Sequence, residues 1–359
     1  TIVLQAEATR CRIYAPVGAH EDLLAYLVRR LLENGANSSF VNQIVDEDVA
    51  PETVASCPFD RVSDVTILPT GPDLFQPERR NSKGFDLTHA PTLEQIQSAR
   101  NPHLDASFST FPLIAAKVSK GNTRDVFNPA RPADLIGTVQ EASTEDTRHA
   151  IAAASLWDAS TQMRADTLNA VADAYEQNAG KLFAILAREA GKGLPDAVAE
   201  LREAVDFLRY YAAQALQTDA APRGVWACIS PWNFPLAIFT GQISAALAAG
   251  NGVLAKPAEQ TGLIAHRAVQ LMLQAGVPQD VLHLLPGGGD IGAALTSSDT
   301  LGGVAFTGST ATALKIRSTM ADTCVPGTPL IAETGGLNAM IVDSIALPEH
   351  AVRDILQSS

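Results

Sequence analysis

The chain contains 359 residues, of which 46% are apolar and 18% are charged. These proportions are typical of a soluble globular protein with room for two or three domains and a large core. The formal net charge of −13 disfavours nucleic acid and anionic membrane surfaces as partners. No apolar run predicts a membrane span, and the first residues lack a signal-peptide pattern. Scattered cysteines without a CxxC pair favour a reduced, cytoplasmic protein without a structural zinc.

Residues 1–45 predict a strand and a turn, followed by a helix from His20 to Asn34 that Gly35 ends. The apolar residues of this helix predict one broad buried side, formed by Leu23, Leu24, Leu27, Val28, Leu31 and Leu32. The polar residues of the other side are Tyr26, Arg29, Arg30 and Glu33. Paired arginines beside a tyrosine suit bidentate binding of a carboxylate, but a solvated charged face would show the same pattern.

Residues 46–115 predict a linker, because repeated prolines interrupt any long helix and leave only a short one at Thr92–Ala99. A second domain is expected to begin near residue 116 with a β-ribbon, whose strands include Phe127–Asn128 and Ile136–Val139. Four helices should follow, at Thr144–Ser155, Met163–Asn178, Lys181–Ala190 and Leu194–Leu216.

The most informative stretch runs from Pro222 to Glu259. Its first part, Gly224–Ile229, is short and apolar like a buried strand, and the prolines that follow prevent it from continuing. An almost entirely apolar helix is predicted at Leu236–Ala249, before a glycine stop and a second strand that ends at Lys256. This βαβ pattern predicts parallel strands whose C-terminal ends carry the functional loops.

Two polar residues occupy those ends. Asn233 lies between two prolines, where a rigid turn would aim its amide NH2 group at a developing oxyanion. Lys256 ends a buried strand, where a charge requires a ligand or a partner. An asparagine that caps the turn and a lysine that extends its amine to solvent would explain the same pattern without a function.

Strands and helices continue to alternate after Glu259, which predicts a parallel α/β sheet of the Rossmann-like class. The remaining helices are expected at Leu263–Ala275, Ile291–Leu295 and Leu347–Gln357, and the strands at Val281–Leu285, Gly303–Phe306 and Pro329–Ala332. Gly308 and Ser309 lie where a strand meets a helix N-terminus, which suits a pyrophosphate, although no GxGxxG fingerprint is present. Glu333 follows a strand that should be buried, and it could act as a general base or as a structural cap or ion-pair partner.

Four motifs occur in the order and at the approximate spacing of one known family. They are PWNFP, AALAAGNGVLAKPAEQT, FTGST and ETGG, and together they resemble the aldehyde dehydrogenase superfamily. The wording ISPWNFPLAIF and IAETGGLNAMIVDS is most similar to the pyrroline-5-carboxylate dehydrogenase half of the bifunctional proline utilization A proteins. Near the other end, YLVRRLLENGANSSFVN resembles the last helix of the flavin-dependent proline dehydrogenase barrel in those proteins. The phrases Arg164–Asp166 and Glu189–Lys192 also match the family, and helix packing is their expected role.

The resemblance implies a role for each candidate residue. Asn233 would stabilise the oxyanion and Glu333 would activate water. The NAD site would be formed by Ile229, Ser230, Pro231, Trp232, Lys256, Glu259, Gly289, Gly308 and Ser309. Glu259 would receive ribose hydroxyls and so favour NAD over NADP. Tyr26, Arg29, Arg30 and Glu33 would hold the proline carboxylate of a parent protein that also uses FAD.

The resulting hypothesis has three parts: residues 1–45 end a (β/α)8 barrel, residues 46–115 form the linker, and residues 116–359 form the NAD-binding part of an aldehyde dehydrogenase. The parent would convert proline to pyrroline-5-carboxylate and glutamate semialdehyde to glutamate, and would form a homo-oligomer. The family's nucleophilic cysteine is expected beyond Ser359, so the chain should be inactive by itself. A free-standing aldehyde dehydrogenase and a non-catalytic NAD-binding module remain the alternatives.

Overall fold

The computed structural model describes residues 17, 20–35, 43, 46, 48–57, 59, 69–337 and 339–358. The chain divides into two compact units, Thr1–Leu68 and Pro69–Ser359. In the first unit, helix α1 spans His20–Gly35 and the short helix α2 spans Pro51–Val54. The prediction of α1 is therefore confirmed, whereas the strand predicted before it lies outside the described residues.

The prediction of a buried side on α1 is wrong for four of its apolar residues, Leu24, Leu27, Val28 and Leu32. Their exposed fractions are 53% at Leu24, 48% at Leu27, 45% at Val28 and 70% at Leu32. Apolar periodicity identifies the face that needs a cover, but a helix needs a packing partner to bury it. Among the described residues of this unit, α2 is only four residues long and cannot supply that cover.

The second unit begins with helix α3 at Ala90–Arg100 and a three-stranded sheet of β1 (Phe108–Thr110), β2 (Thr123–Asn128) and β3 (Arg131–Gln140). Strands β2 and β3 pair in antiparallel fashion, which confirms the predicted ribbon, and β1 adds to β3 in parallel. Strand β1 was not predicted, because three residues within a proline-rich stretch carry too little periodicity to reveal a strand.

Four helices form the next layer, at Thr144–Ala153 (α4), Thr161–Gln177 (α5), Ala179–Glu189 (α6) and Leu194–Ala215 (α7). All four were predicted to within a few residues. The apolar faces of α5, α6 and α7 meet in one core in which Tyr175, Phe183, Leu201 and Leu208 are almost completely buried. Ala150 of α4 belongs to a second buried cluster. This layer supports the main sheet and, as shown below, contacts its functional loops.

The main sheet contains the strands β4 (Val225–Ile229), β5 (Gly252–Lys256), β6 (Leu282–Leu284), β7 (Leu301–Gly308) and β8 (Leu330–Thr334). All neighbouring strands are parallel, in the order β6-β5-β4-β7-β8. The connecting helices are α8 (Ala237–Ala248), α9 (Gly262–Gln274), α10 (Gly289–Thr296) and α11 (Thr310–Thr323), and α12 (Pro348–Ser358) follows. The predicted parallel α/β class is confirmed.

The central βαβ unit follows the prediction closely. Helix α8 is buried along most of its length, and Gly250 follows it with φ +81, a left-handed conformation that favours glycine. Strand β5 is buried throughout and ends at Lys256. Among the described residues, no helix combines the length and the apolarity that a membrane crossing requires.

The predicted burial of the strand at Glu333 is wrong. Among the described strands, β8 pairs with β7 alone and forms the edge of the sheet, and most of its residues are exposed. Ile331 alone is 53% exposed. A short apolar strand has the same sequence pattern at a covered and at an uncovered edge, so the pattern could not distinguish them.

Candidate functional site

The strand order creates a crevice beside β4. From β4 the chain first adds β5 and β6 on one side, and then returns to add β7 and β8 on the other. The loops after β4 and β7 therefore diverge at their C-terminal ends, which is where open α/β sheets bind ligands. A cavity of about 1100 Å³ lies at this point.

All eleven residues predicted for the cofactor and catalytic sites of this unit line that cavity. They are Ile229, Ser230, Pro231, Trp232, Asn233, Lys256, Glu259, Gly289, Gly308, Ser309 and Glu333. These residues belong to five separate loops and strand ends, so it is the parallel sheet that brings them together.

Asn233 and Glu333 lie at the part of the cavity formed by the turn after β4 and by strand β8. Both residues are exposed, and Glu333 stands opposite Thr307 in the register of β7 and β8. Thr307 and Glu333 also line a second, mainly apolar cavity of about 680 Å³. The carboxylate of Glu333 is thus accessible to water and to a small substrate, which a general base requires.

Lys256 lies at the opposite part of the cavity and is only 4% exposed. Its Nζ donates to the carbonyl oxygen of Pro257 at 3.0 Å. Burial lowers the pKa of Lys256, while the nearby carboxylates of Glu259, Asp290 and Glu141 oppose this effect. An ammonium group with one short hydrogen bond retains donors for a ligand such as a ribose hydroxyl.

Ser230 gives a further indication that the cavity fits a polar ligand. The residue is 5% exposed, and its Oγ has no hydrogen-bond partner among the described residues. Buried hydroxyl groups are usually paired, because an unpaired one costs free energy. The donors and acceptors of Ser230, Lys256 and Glu259 together fit the hydroxyl-rich part of a dinucleotide.

The position that the sequence predicts for a pyrophosphate lies at the start of helix α11. Ser309 is the N-cap of this helix, and its Oγ accepts from the backbone N–H of Thr312 at 3.2 Å. A side chain at Gly308 would approach the Phe306 ring to 2.7 Å, which explains why a glycine stands there. A helix N-terminus with free N–H groups beside a glycine is a favourable seat for an anion.

The sequence interpretation missed one wall of the cavity. Thr312, Lys315 and Thr319 project from α11 into it. Their spacing of three and four residues places them on one face of the helix, and this signal could have identified them once α11 was assigned. Lys315 adds a second cation beside the proposed pyrophosphate position.

The described cysteines lie away from the cavity. Cys228 is buried within β4, where burial raises its pKa to about 12, and its predicted place in the core is confirmed. The thiol of Cys324 donates to the carbonyl oxygen of Ser298, and Cys57 is exposed in the first unit. Within the described residues, therefore, the lining contains no thiol.

The predicted carboxylate clamp lies on α1. The Arg30 guanidinium is 5.3 Å from the centre of the Tyr26 ring, and both Arg29 and Arg30 are exposed. The helix thus presents Tyr26 and Arg30 together, as a carboxylate site would need. The position of the Glu33 side chain lies outside the part of the chain that the structure describes.

The fold and the composition of the cavity are those of the aldehyde dehydrogenase family, and the chain belongs to this family, whose model matches residues 116–359. Residues 2–43 match the proline dehydrogenase family. Over 97% of its length the chain is 48% identical to the bifunctional protein PutA of Klebsiella aerogenes, of which it spans 28%.

Two solved structures resemble the chain. A proline utilization A mutant from Bradyrhizobium japonicum is 41% identical with a TM-score of 0.80, covering 99% of this chain and 36% of that one. The 1-pyrroline-5-carboxylate dehydrogenase from Thermus, solved with bound NAD, is 28% identical with a TM-score of 0.66, covering 76% of this chain and 56% of that one.

Proposed function

We propose that the cavity beside β4 binds NAD and serves the oxidation of glutamate semialdehyde, the open form of pyrroline-5-carboxylate, to glutamate. One observation carries this proposal: all eleven residues that the family resemblance assigns to these roles line one cavity at the switch point of the sheet. The NAD-bound pyrroline-5-carboxylate dehydrogenase from Thermus supports both the cofactor and the substrate class.

The predicted residues assign a different portion of NAD to each part of the cavity. Lys256 and Glu259 hold the adenosine ribose at one end, and the carboxylate of Glu259 disfavours the additional phosphate of NADP. The N-terminus of α11, with Ser309, receives the pyrophosphate in the middle. When bound, NAD would supply the hydride acceptor, and the other end of the cavity, lined by Asn233 and Glu333, would hold its nicotinamide and the aldehyde.

At that end, Asn233 and Glu333 perform different tasks. The side-chain amide of Asn233 donates to the oxygen of the aldehyde as negative charge develops on it, an effect worth roughly 3–4 kcal/mol at comparable sites. Glu333 accepts a proton from the water that releases the acid product. A thiol nucleophile is also required, and the described lining does not supply it.

The first unit supports a narrower proposal. We infer that Tyr26, Arg29 and Arg30 hold the carboxylate of proline and that Glu33 lies near the same site, as the resemblance to the proline dehydrogenase family implies. The described helix α1 cannot enclose a flavin by itself, because such a cofactor needs several barrel strands around it. FAD does not fit the described residues of this unit.

A non-catalytic NAD-binding module is the second candidate, and the lack of a thiol in the described lining favours it. Two measurements on the chain test the NAD site and the dehydrogenase activity. Isothermal titration calorimetry with NAD should show binding for either candidate, and a failure to bind NAD would overturn both candidates. NADH formation from pyrroline-5-carboxylate is expected to be undetectable, whereas turnover would show that one of the chain's cysteines reaches the cavity.

A further inference from the structure

A buried glutamate supports the turn that carries Asn233. Glu200 lies in α7 and is 1% exposed. Its Oε2 accepts from the backbone N–H groups of Leu236 at 3.2 Å and Ala237 at 2.9 Å, which are the N-cap and the first residue of α8. These N–H groups have no partners within their own helix, so a carboxylate from another helix satisfies them.

Lys192 holds the same turn from a second direction. Its Nζ lies 3.1 Å from Oε1 of Glu200 and 4.5 Å from the centre of the Phe234 ring. Phe234 follows Asn233 directly, and Leu236 begins the helix two residues later. The lysine therefore connects the ring on one side of the turn with the carboxylate on the other by an ion pair and a cation–π contact.

We propose that Lys192 and Glu200 are positioning residues, which fix the turn from Trp232 to Phe234 so that the Asn233 amide faces the reacting end of the cavity. This inference rests on the proposed function, because that function places the nicotinamide beside the same turn. Neither residue lines the cavity, so both act through the turn.

The chemistry of the pair supports positioning rather than simple stabilisation. A buried ion pair is often no more stabilising than apolar residues of similar volume, since both charges must lose water. A carboxylate that accepts two hydrogen bonds, together with an aromatic contact, does hold the turn in one defined geometry. Asn233 itself is exposed and its turn carries two neighbouring prolines, so the contacts of Leu236, Ala237 and Phe234 anchor the turn on its C-terminal side.

The first test compares two ligands of the proposed NAD site. ADP-ribose contains the adenosine, the pyrophosphate and the second ribose but lacks nicotinamide. In Lys192→Met and Glu200→Gln, we expect NAD to bind about tenfold more weakly and ADP-ribose to bind within about twofold of the wild type. Lys192→Arg, which keeps the cation, should restore most of the NAD affinity.

A matched control lies on the same helix. Asp206 also accepts from a backbone N–H, that of Ser82 at 2.7 Å, and pairs with Arg79 at 3.4 Å, but it does not line the cavity. Asp206→Asn should leave the ratio of the NAD and ADP-ribose affinities unchanged. Equal weakening of both ligands by Lys192→Met, or no change in either, would overturn the proposed positioning role.

A second readout does not depend on nucleotide binding. The chain contains three tryptophans, so labelling with ¹⁵N-tryptophan gives three indole signals, of which Trp232→Phe identifies the one from the turn. Lys192→Met and Glu200→Gln should shift or broaden that signal, and Asp206→Asn should not. An unchanged Trp232 signal in both variants would refute the inference. Failure of the wild type to bind ADP-ribose would instead refute the proposed function.

Discussion

Replacing Lys256 by methionine should weaken NAD binding without weakening the fold. The substitution removes an ammonium that is 4% exposed and donates to Pro257 at 3.0 Å. A hydrogen bond from a charged donor contributes about 1.5–3 kcal/mol, so the dissociation constant for NAD should rise by about tenfold to a hundredfold. Stability should stay the same or increase, because methionine has a similar shape and carries no charge to desolvate.

The pKa of Lys256 fixes the sign of the pH dependence. Burial lowers this pKa, so the folded protein binds the lysine proton less tightly than the unfolded chain does. The lysine therefore costs stability at neutral pH, and this cost disappears as the pH rises through the lysine range. The stability gain of Lys256→Met over the wild type should accordingly be larger at neutral pH than at alkaline pH.

Isothermal titration calorimetry measures the change in NAD affinity, and urea denaturation measures the change in stability. Lys181→Met serves as the control, because Lys181 is also a partly buried cation but does not line the cavity. The control should leave the NAD affinity unchanged. An NAD affinity of Lys256→Met within twofold of the wild type would refute the assignment of Lys256 to the ribose position.

Two further substitutions test helix caps beside the site. Glu189 accepts from Leu263 and Ile264 at the start of α9, and burial raises its pKa from 4.5 to about 8. Its contribution to stability is therefore complete below about pH 4.5 and is lost as the pH rises through about 8. Glu189→Gln should flatten the decline of the unfolding free energy in this window by up to about 1.4 kcal/mol per pH unit. Parallel profiles of unfolding free energy against pH for both proteins, measured by urea denaturation, would contradict this. Ser309→Ala should cost about 1 kcal/mol of stability as a lost helix cap and should also weaken NAD binding, whereas Ser160→Ala, which removes the cap of α5, should cost similar stability alone. Equal NAD affinities in the two serine variants would argue against a pyrophosphate at Ser309.

The central strand–turn–helix–strand unit could be predicted because its signals are local. Prolines fix the turn at Pro231 and Pro235, Gly250 adopts the left-handed conformation that ends α8, and an apolar strand leads to Lys256. The place of the site followed from these elements, because parallel strands align their C-terminal ends whatever their order. Residue roles within the cavity, in contrast, came from the family resemblance.

The burial of residues on helix α1 and on the edge strand β8 could not be predicted in the same way. Leu32 and Ile331 belong to apolar patterns, yet both are more than half exposed. An apolar pattern indicates which face of a helix or strand must be covered, but whether that face is buried depends on the elements that pack against it. The contacts of Glu200 were hidden for a related reason: a glutamate in a helical pattern is assigned to the solvated face unless its partners, here 36 and 37 residues away, are known.

The two buried glutamates show how the helical layer contributes to the site. Glu189 ends α6 and caps α9, which follows β5, while Glu200 lies in α7 and caps α8, which follows β4. Strands β4 and β5 are neighbours, and each carries one end of the proposed NAD site in the loop before the capped helix. Each loop is therefore fixed by its strand on one side and by hydrogen bonds to a buried glutamate of the helical layer on the other. Substitutions in that layer should consequently alter ligand binding at a distance, with Glu200 affecting the nicotinamide end and Glu189 affecting the adenosine end.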